Sequence, residues 1–480
     1  MMTERIMVER PWTFEELAEV TTGTWYSNTV STNCLIEGVT VLAGQHQPNN
    51  LVSVRSSDEK GGLPLTVLKS LHAKTPVKYL MCTTPMMDEV SGFNLPILVV
   101  KNLTQAVIEI GTAARVKMRG TVIGVTGSAG KTTMTAMLAQ MLSVYGSVVS
   151  TQLSANLPFG IAWNLASVKP STDYAVMEMA IGNMLKNSKI VRPDIAVFTN
   201  IGAAHLEYHS TTEDVATKKS RIFQGMAPGG WAVLNRDMQH WEIVSQYAQA
   251  AELNILSYGV SGEADVKLIG YQTQTGQVDI ELNGMPLSYH LTALGKHMVL
   301  NSMACIAVSS ILLSPAASNN INLALEELNR FSAVDGRGKV HHLTIQSKSF
   351  TLVDEAYNAN PLSIISAIDL FKTFPEKTTS RVLILGDMLE LGQDSVKLHL
   401  ELVPVIESSG ADTIYLYGQQ MKQVYECLNR EKNHVFYFET LTALQAEILA
   451  NLKDKSLLLI KSSNGMGLHK LVKNICDLAE

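Results

Sequence analysis

The sequence predicts an α/β protein with parallel sheets that are covered by helices on both faces. From residue 121 onward, apolar runs of strand length alternate with helical stretches. These runs are residues 121–126, 173–180, 194–200, 350–356, 381–387, 412–418 and 457–463. Continuous apolar strands separated by helices are typical of parallel sheets buried on both faces. Several runs end in polar residues, and ligands of such sheets bind beyond the carboxyl ends of the strands.

The length predicts more than one domain. A chain of 480 residues is too long for a single ordinary core, because domains usually contain about 100–200 residues. We place boundaries near residues 118 and 334, before the first apolar run and in the glycine-rich, charged stretch SAVDGRGK. The expected domains are a small mixed α/β domain (1–118), a parallel-sheet domain with a phosphate loop (119–334) and a Rossmann-like domain (335–480).

Composition excludes several classes of protein. A net charge of −6 argues against nonspecific nucleic-acid binding, and 46% hydrophobic residues argue against disorder. We see no run of 18 apolar residues and no signal peptide at the start of the sequence, so we expect no membrane association. The five cysteines lie far apart, which favours a reducing cytoplasm over a structural zinc site. We expect a cytoplasmic monomer.

The stretch GVTGSAGKTT predicts a phosphate-binding loop. It follows a strand and opens a helix, so its backbone N–H groups and the helix dipole would face a phosphate. Lys131 can reach the β- and γ-phosphates and Thr132 can bind Mg²⁺. The strict pattern GxxxxGK[ST] fails at Val125, and the alternative is a strand–helix turn without a ligand. The residues expected to bind the nucleotide here are Gly127, Ser128, Ala129, Gly130, Lys131, Thr132 and Thr133.

Two further residues follow predicted strands and could share a metal with this loop. Glu178 ends one apolar run and His205 follows another, and Mg²⁺ near phosphates needs hard ligands. Taken singly, Glu178 is better interpreted as a solvated strand-end carboxylate, and His205 as a satisfied loop histidine.

The spacing TGSAGKTT resembles the phosphate loop of the Mur ligase family, and residues 119–480 carry further motifs of that family in the same order. The string Glu178…TNIGAAHLE resembles the family's magnesium-binding pattern. EDVATKKSRIF resembles the stretch with a lysine carbamylated by CO₂, which by register is Lys219. On residue type alone Lys219 could be a solvated helical lysine. The resemblance implies catalytic roles for Lys131, Glu178, His205 and Lys219, and metal binding by Thr132, Glu178, His205 and Lys219.

The same resemblance implies further contacts to the nucleotide. WAVLNRD supplies Asn235, and LGKHMVLN supplies His297 and Asn301. DGRGK supplies Arg337 for a phosphate, and VDEAYNANP supplies Asp354 for the ribose. An ordinary turn residue is the alternative for Asn235, and a solvated linker arginine for Arg337.

The strings YNANP, LGDMLELG and KSSNGMG resemble one branch of the family, the ligases that add D-alanyl-D-alanine to a UDP-linked muramoyl-tripeptide. The implied substrate contacts are Tyr357, Asn358, Asn360, Lys461 and Ser463. Ser462 and Asn464 replace the Gly and Arg of the branch, and one of the two asparagines could serve only as a turn or cap residue. The first 118 residues lack the family's usual Ser-Arg and Asp-Gly-His, so we expect a divergent acid-binding domain.

The resemblance implies an ATP- and Mg²⁺-dependent ligase that joins a carboxylate and an amine through an acyl-phosphate. The substrates would be a UDP-muramoyl-peptide and D-alanyl-D-alanine or a similar amine. A paralogue that uses a non-UDP acid in a small-peptide pathway is the main alternative. A folate-polyglutamate or cyanophycin type of ligase, or a nucleotide-binding protein without ligase activity, ranks lower. Because the predicted site is split between domains, we expect a large ATP-dependent domain motion.

Overall fold

The computed structural model describes residues 12–26, 35–203, 211–313, 320–374, 379–429 and 434–479. Within these ranges the strands form three sheets, of six, nine and six strands. The predicted α/β fold class is confirmed. No helix in the described ranges is long and apolar enough to cross a membrane.

The first sheet is built from residues that precede the phosphate loop. Its strands are β1 (Thr24–Tyr26), β2 (Gly38–Thr40), β3 (Asn50–Arg55), β4 (Leu63–Pro64), β5 (Tyr79–Thr83) and β6 (Ile97–Val100). Its helices are α1 (Phe14–Thr21), α2 (Leu65–Lys74), α3 (Met87–Ser91) and α4 (Leu103–Lys117). The order is β1-β6-β5-β3-β2, β4 pairs with β3, and only the β1–β6 pair is antiparallel among these described strands.

The second sheet carries the phosphate loop. Its strands are β7 (Thr121–Thr126), β8 (Val148–Ser150), β9 (Tyr174–Glu178), β10 (Ile195–Phe198), β11 (Trp231–Asn235), β12 (Asn254–Gly259), β13 (Val266–Gln272), β14 (Gln277–Leu282) and β15 (Met285–His290). Its helices are α5 (Lys131–Leu142), α6 (Pro158–Ala166), α7 (Met184–Val191), α8 (Thr212–Ser220), α9 (Trp241–Ala250), α10 (Lys296–Leu312) and α11 (Asn320–Arg330). The order is β15-β14-β13-β12-β11-β10-β7-β9-β8. The parallel strands β9 and β10 flank β7, so their carboxyl ends meet beside the phosphate loop.

One end of the second sheet departs from the predicted parallel arrangement. β13, β14 and β15 form an antiparallel meander. Asn283 and Gly284 join β14 to β15 with φ angles of 48° and 81°, the positive values that two-residue hairpin turns need.

The third sheet contains the strands that follow residue 338. They are β16 (Lys339–Ile345), β17 (Lys348–Glu355), β18 (Ser380–Gly386), β19 (Thr413–Tyr417), β20 (His434–Phe438) and β21 (Ser456–Lys461). The helices are α12 (Pro361–Thr373), α13 (Ser395–Leu400), α14 (Val403–Glu407), α15 (Gln419–Cys427), α16 (Leu441–Asn451) and α17 (Leu468–Leu478). The order is β16-β17-β21-β18-β19-β20, with β16 and β17 antiparallel and the other pairs parallel.

Candidate active site

The phosphate loop is the turn of residues 127–130 between β7 and α5. Gly127 and Gly130 have φ angles of 151° and 79°, which residues with a Cβ rarely adopt. A Cβ at Gly127 would overlap Oγ1 of Thr199, so glycine is required where the loop passes β10. A Cβ at Gly130 would have no neighbour closer than 3.7 Å. The N-terminus of α5 opens onto a cavity that Gly130, Lys131 and Thr132 line, as an anion site requires.

Groups that follow β10 hold the phosphate loop in place. Oδ1 of Asn200 accepts the N–H of Ala129 at 2.8 Å, and the Asn200 carbonyl accepts the N–H of Ser128 at 3.0 Å. The Ser128 hydroxyl donates to the Gly202 carbonyl at 3.0 Å. These bonds preform the loop, which lowers the entropy lost on binding. Asn200 was not predicted from the sequence, although it lies in the TNIG string directly after a strand.

Two lysines converge on the carbonyl oxygen of Gly127. Nζ of Lys131 lies 3.0 Å from this oxygen and Nζ of Lys219 lies 2.8 Å from it. Lys219 is fully buried, and burial together with the charge of Lys131 holds the pKa of Lys219 well below its usual range. Burial also lowers the pKa of Lys131, although Glu178 opposes the shift. The surroundings of Lys219 thus favour its uncharged amine, which is the nucleophilic form.

The Glu178 carboxylate lies at the start of α5. Its Oε2 accepts the Thr132 hydroxyl at 2.6 Å, and its Oε1 accepts the side-chain amide of Asn156 at 2.7 Å. A hydroxyl beside a carboxylate offers the hard oxygen donors that Mg²⁺ prefers. The described residues contain no group of three or more His, Cys, Asp or Glu that could hold a metal, but Mg²⁺ is commonly bound by one or two carboxylates plus substrate phosphates. Thr132 and Glu178 therefore fit a Mg²⁺–nucleotide, and His205 lies outside the described residues.

Asn235, His297 and Asn301 come from β11 and α10. The Asn235 amide donates to the Thr199 carbonyl at 2.8 Å, which joins the ends of β10 and β11. The buried Asn301 side chain would lie 3.7 Å from a Cβ at Gly130, which places its amide beside the start of α5. Burial lowers the pKa of His297, against the opposing charge of Glu355, so this imidazole favours its neutral form.

Arg337 and Asp354 belong to the third sheet and the turn before it. The Arg337 guanidinium lies 4.2 Å from the centroid of the Tyr357 ring. Asp354 accepts the N–H groups of Gly336 at 2.7 Å and Ala356 at 3.1 Å. Burial raises the pKa of Asp354, although these two N–H groups oppose the shift. Asp354 therefore secures the turn that carries Arg337.

The YNANP turn connects β17 to α12. Asn360 caps α12 by accepting the N–H of Ser363 at 2.9 Å, and its amide also donates to the Ser128 carbonyl at 3.3 Å. Nζ of the buried Lys461 lies 3.1 Å from both Oε2 of Glu355 and the Asn358 carbonyl. Oγ of Ser463 accepts the Leu389 N–H at 2.9 Å and donates to the Ala359 carbonyl at 3.3 Å.

A cavity of about 670 Å³ lies between the second and third sheets and brings most of these residues together. The predicted residues that line it are Ser128, Ala129, Gly130, Lys131, Thr132, Thr133, Glu178, Asn235, His297, Asn301, Arg337, Tyr357, Asn358, Asn360 and Lys461. Gly127, Lys219, Asp354 and Ser463 are absent from the lining; their contacts hold the residues that form it. Eight polar lining residues were not predicted from the sequence, namely Ser154, Asn156, Thr199, Asn200, Glu355, Ser363, Ser366 and Glu390.

The fold and this cavity define a three-domain P-loop enzyme whose site lies between its central and C-terminal domains. Two family models match the chain, the Mur ligase middle domain at residues 125–309 and the Mur ligase glutamate ligase domain at residues 340–464. The chain belongs to the Mur ligase family, as the motifs predicted. It is accordingly an ATP-dependent ligase.

Named relatives and solved structures agree with this assignment. The UDP-N-acetylmuramoyl-tripeptide–D-alanyl-D-alanine ligase of Rickettsia prowazekii is 30% identical over 382 residues, which cover 78% of this chain and 82% of that protein. The enzyme of the same name from Bacillus subtilis is 28% identical over 390 residues, covering 80% and 82%. The fold matches MurF from Acinetobacter baumannii with a TM-score of 0.79 at 22% identity, over 97% of this chain and 99% of that one. It also matches MurF from Thermotoga maritima in complex with ADP, with a TM-score of 0.74 at 20% identity, over 93% and 99%.

Proposed function

We propose that this chain joins D-alanyl-D-alanine to a UDP-N-acetylmuramoyl-tripeptide in peptidoglycan synthesis. The names and coverage of the Rickettsia and Bacillus relatives support these substrates. The observation that carries the proposal is the shared cavity, which Lys131 and Glu178 line from one domain and Arg337 and Lys461 line from the other. Such a cavity can activate an acid on one side and receive an amine on the other.

The proposed reaction has two steps. First, a carboxylate oxygen of the acid attacks the γ-phosphorus of ATP. The bond between that phosphorus and the oxygen that bridges to the β-phosphate breaks, which forms an acyl-phosphate and releases ADP. Second, the amine nitrogen attacks the acyl carbon, the bond from that carbon to the phosphate oxygen breaks, and inorganic phosphate and a proton are released. The protein contributes positioning and charge stabilisation to both steps.

The phosphate loop and Arg337 would bear the developing charge. Lys131 and the N–H groups at the start of α5 face the phosphates from one side, and Arg337 faces them from the other. Asn235, His297 and Asn301 would hold the remainder of the nucleotide. Because the cavity lies between two domains, their closure would exclude water from the acyl-phosphate.

We propose that Mg²⁺ accompanies the nucleotide and that Thr132 and Glu178 hold it, with His205 and a carbamylated Lys219 as further ligands. When bound, the ion would neutralise charge on the phosphate oxygens. The uncharged Lys219 amine can attack CO₂ and release one proton, which gives a carbamate anion. Lys131 would favour that anion, since its charge disfavours a second cation at the same place.

The amine would lie against the YNANP turn and β21. The ammonium group of Lys461 donates one N–H to Glu355 and a second to the Asn358 carbonyl. Its third N–H is left for a substrate carboxylate. Asn358 is exposed at the cavity wall and Asn360 bridges to the phosphate loop. Ser463 would act by holding the Ala359 carbonyl.

The test is product mass together with ADP and phosphate release, using ATP, Mg²⁺, UDP-N-acetylmuramoyl-tripeptide and D-alanyl-D-alanine. We expect a product heavier than the tripeptide substrate by the dipeptide minus water. ADP release that requires other acids or amines would favour the paralogue, for which Asn464 in place of the branch's arginine is the supporting feature. We further propose a monomer, which light scattering tests.

A further inference from the structure

Tyr357 forms a hydrogen bond across the boundary between the central and C-terminal domains. Its hydroxyl donates to Oγ of Ser154 at 3.0 Å. Tyr357 lies in the turn after β17, and Ser154 lies in the loop between β8 and α6. Both residues line the active-site cavity, so the contact forms only where the two walls approach each other.

The ring of Tyr357 also fixes Arg337. The guanidinium lies 4.2 Å from the ring centroid, and the Tyr357 N–H donates to the Gly336 carbonyl at 3.1 Å. A Cβ at Gly336 would lie 2.6 Å from Cβ of Tyr357, so the turn and the ring are closely packed. Moving Tyr357 would therefore move Arg337.

The loop that receives the hydroxyl is connected to Glu178. Leu153 and Ser154 have φ angles of 55° and 53°, a conformation that is unfavourable for residues with a Cβ. Two residues further on, the Asn156 amide donates to Oε1 of Glu178 at 2.7 Å. Strained backbone at a functional site is commonly maintained by surrounding contacts, and the Tyr357 hydroxyl supplies one of them.

We propose that Tyr357 is a positioning residue that couples closure of the C-terminal domain to the placement of Arg337 at the phosphates. Its hydroxyl bonds to Ser154 only when the domains are closed, and its ring then holds the guanidinium opposite Glu178. This assignment replaces the direct substrate contact that the YNANP motif predicted. It rests on the proposed ligase function.

The first test uses Tyr357→Phe, Ser154→Ala and the double variant. Both single changes remove the hydrogen bond between Tyr357 and Ser154, so we expect kcat to fall by about two- to tenfold and KM for the amine to stay constant. The double variant should fall no further than Tyr357→Phe alone, which also removes the interaction of the hydroxyl with Arg337. Tyr357→Leu also loses the ring and should lose more activity, whereas the exposed Tyr247→Phe is the control. A higher KM for the amine with unchanged kcat, or multiplicative effects in the double variant, would overturn the proposal.

The second test measures closure without turnover. We expect the radius of gyration of the wild-type chain in X-ray scattering to contract with Mg²⁺ and a non-hydrolysable ATP analogue, and Tyr357→Phe to need a higher analogue concentration. The proposed coupling would be overturned if the wild type and Tyr357→Phe contracted at the same analogue concentration, or if the wild type did not contract at all. A wild type that contracts normally but forms no product would refute the proposed substrates and leave the Tyr357 assignment supported.

Discussion

Lys218 and Lys219 are sequence neighbours in opposite surroundings. Lys218 is partly exposed and pairs with Asp214 at 2.7 Å, whereas Lys219 is fully buried against Gly127. If carbamylated Lys219 is a metal ligand, Lys219→Ala should lower kcat by roughly 10²- to 10³-fold, and Lys218→Ala should leave it unchanged. Steady-state ADP release measures both. Under ¹³CO₂, a carbamate NMR signal should appear in the wild type and be missing from Lys219→Arg. Equal rates for the two alanine variants would contradict the assignment.

Burial of Lys219 also predicts a pH dependence of stability. The unfolded pKa is about 10.4, and burial lowers the folded pKa well below it. Between these two values the unfolded chain binds more protons than the folded chain, so the free energy of unfolding rises with pH. Lys219→Met removes this cost and should raise Tm more near pH 7 than near pH 10. Calorimetry in buffers without CO₂ and divalent ions measures the difference, with Lys218→Met as the control. An increase in Tm from Lys219→Met that is equal near pH 7 and near pH 10 would contradict the prediction.

Residue type and motif were sufficient to predict the cavity residues that a strand or helix end presents directly. Lys131 at the start of α5 and Glu178 at the end of β9 are of this kind. Ser154 and Asn156 were not predicted, because they lie in the loop between β8 and α6, whose place in the cavity depends on how the sheets meet. Glu355 was not predicted although it ends β17, because its neighbour Asp354 was taken as the binding residue of that strand end. Asp354 illustrates a further limit, since a carboxylate suited to ribose hydroxyls is also suited to two backbone N–H groups.

At the scale of elements, the phosphate loop depends on Gly127. Gly127→Ala would place a methyl group against Thr199 and displace the turn that faces the phosphates. We expect nucleotide affinity to fall more than about tenfold, as an atomic overlap at a ligand-facing turn costs more than about 1.4 kcal/mol. Gly229→Ala is the matched control, because Gly229 has φ of 80° and nothing within 4 Å of the added Cβ. Gly229→Ala introduces only the backbone strain of a Cβ at positive φ, which should lower the free energy of unfolding by about 1–2 kcal/mol. Calorimetric titration with ADP measures the affinity, and wild-type binding by Gly127→Ala would contradict this account.

Apolar runs predicted strands well because buried parallel strands leave a continuous signal. All seven predicted runs contain strands, namely β7, β9, β10, β17, β18, β19 and β21. The antiparallel meander of β13 to β15 was missed because its strands are partly exposed and alternate apolar and polar residues. Asn283-Gly284 was the available signal, since this dipeptide between alternating strands indicates a hairpin.

In the whole molecule, the first and third sheets contact the central domain differently. Trp12 donates to the Ala166 carbonyl at 3.3 Å and Trp163 donates to the Val39 carbonyl at 2.9 Å. Both tryptophans belong to one apolar cluster shared by the first sheet and α6. At the active site, by contrast, polar bonds from Tyr357 and Asn360 join the C-terminal domain to the central one. We therefore expect the C-terminal domain to move and the N-terminal domain to stay docked.

Gly202 provides a test of this motion. A Cβ at Gly202 would overlap Cδ1 of Leu362 on α12, so Gly202→Ala should hinder the approach of α12 to the central domain. We expect weaker contraction in X-ray scattering with Mg²⁺ and a non-hydrolysable ATP analogue, and a lower kcat. Adding Leu362→Ala removes the overlap and should restore contraction relative to Gly202→Ala alone. Gly44→Ala is the matched control, because nothing lies within 4 Å of its Cβ. The radius of gyration of Gly202→Ala could instead contract as much as that of the wild type, or Leu362→Ala could fail to restore the contraction. Either result would show that closure does not bring α12 onto Gly202.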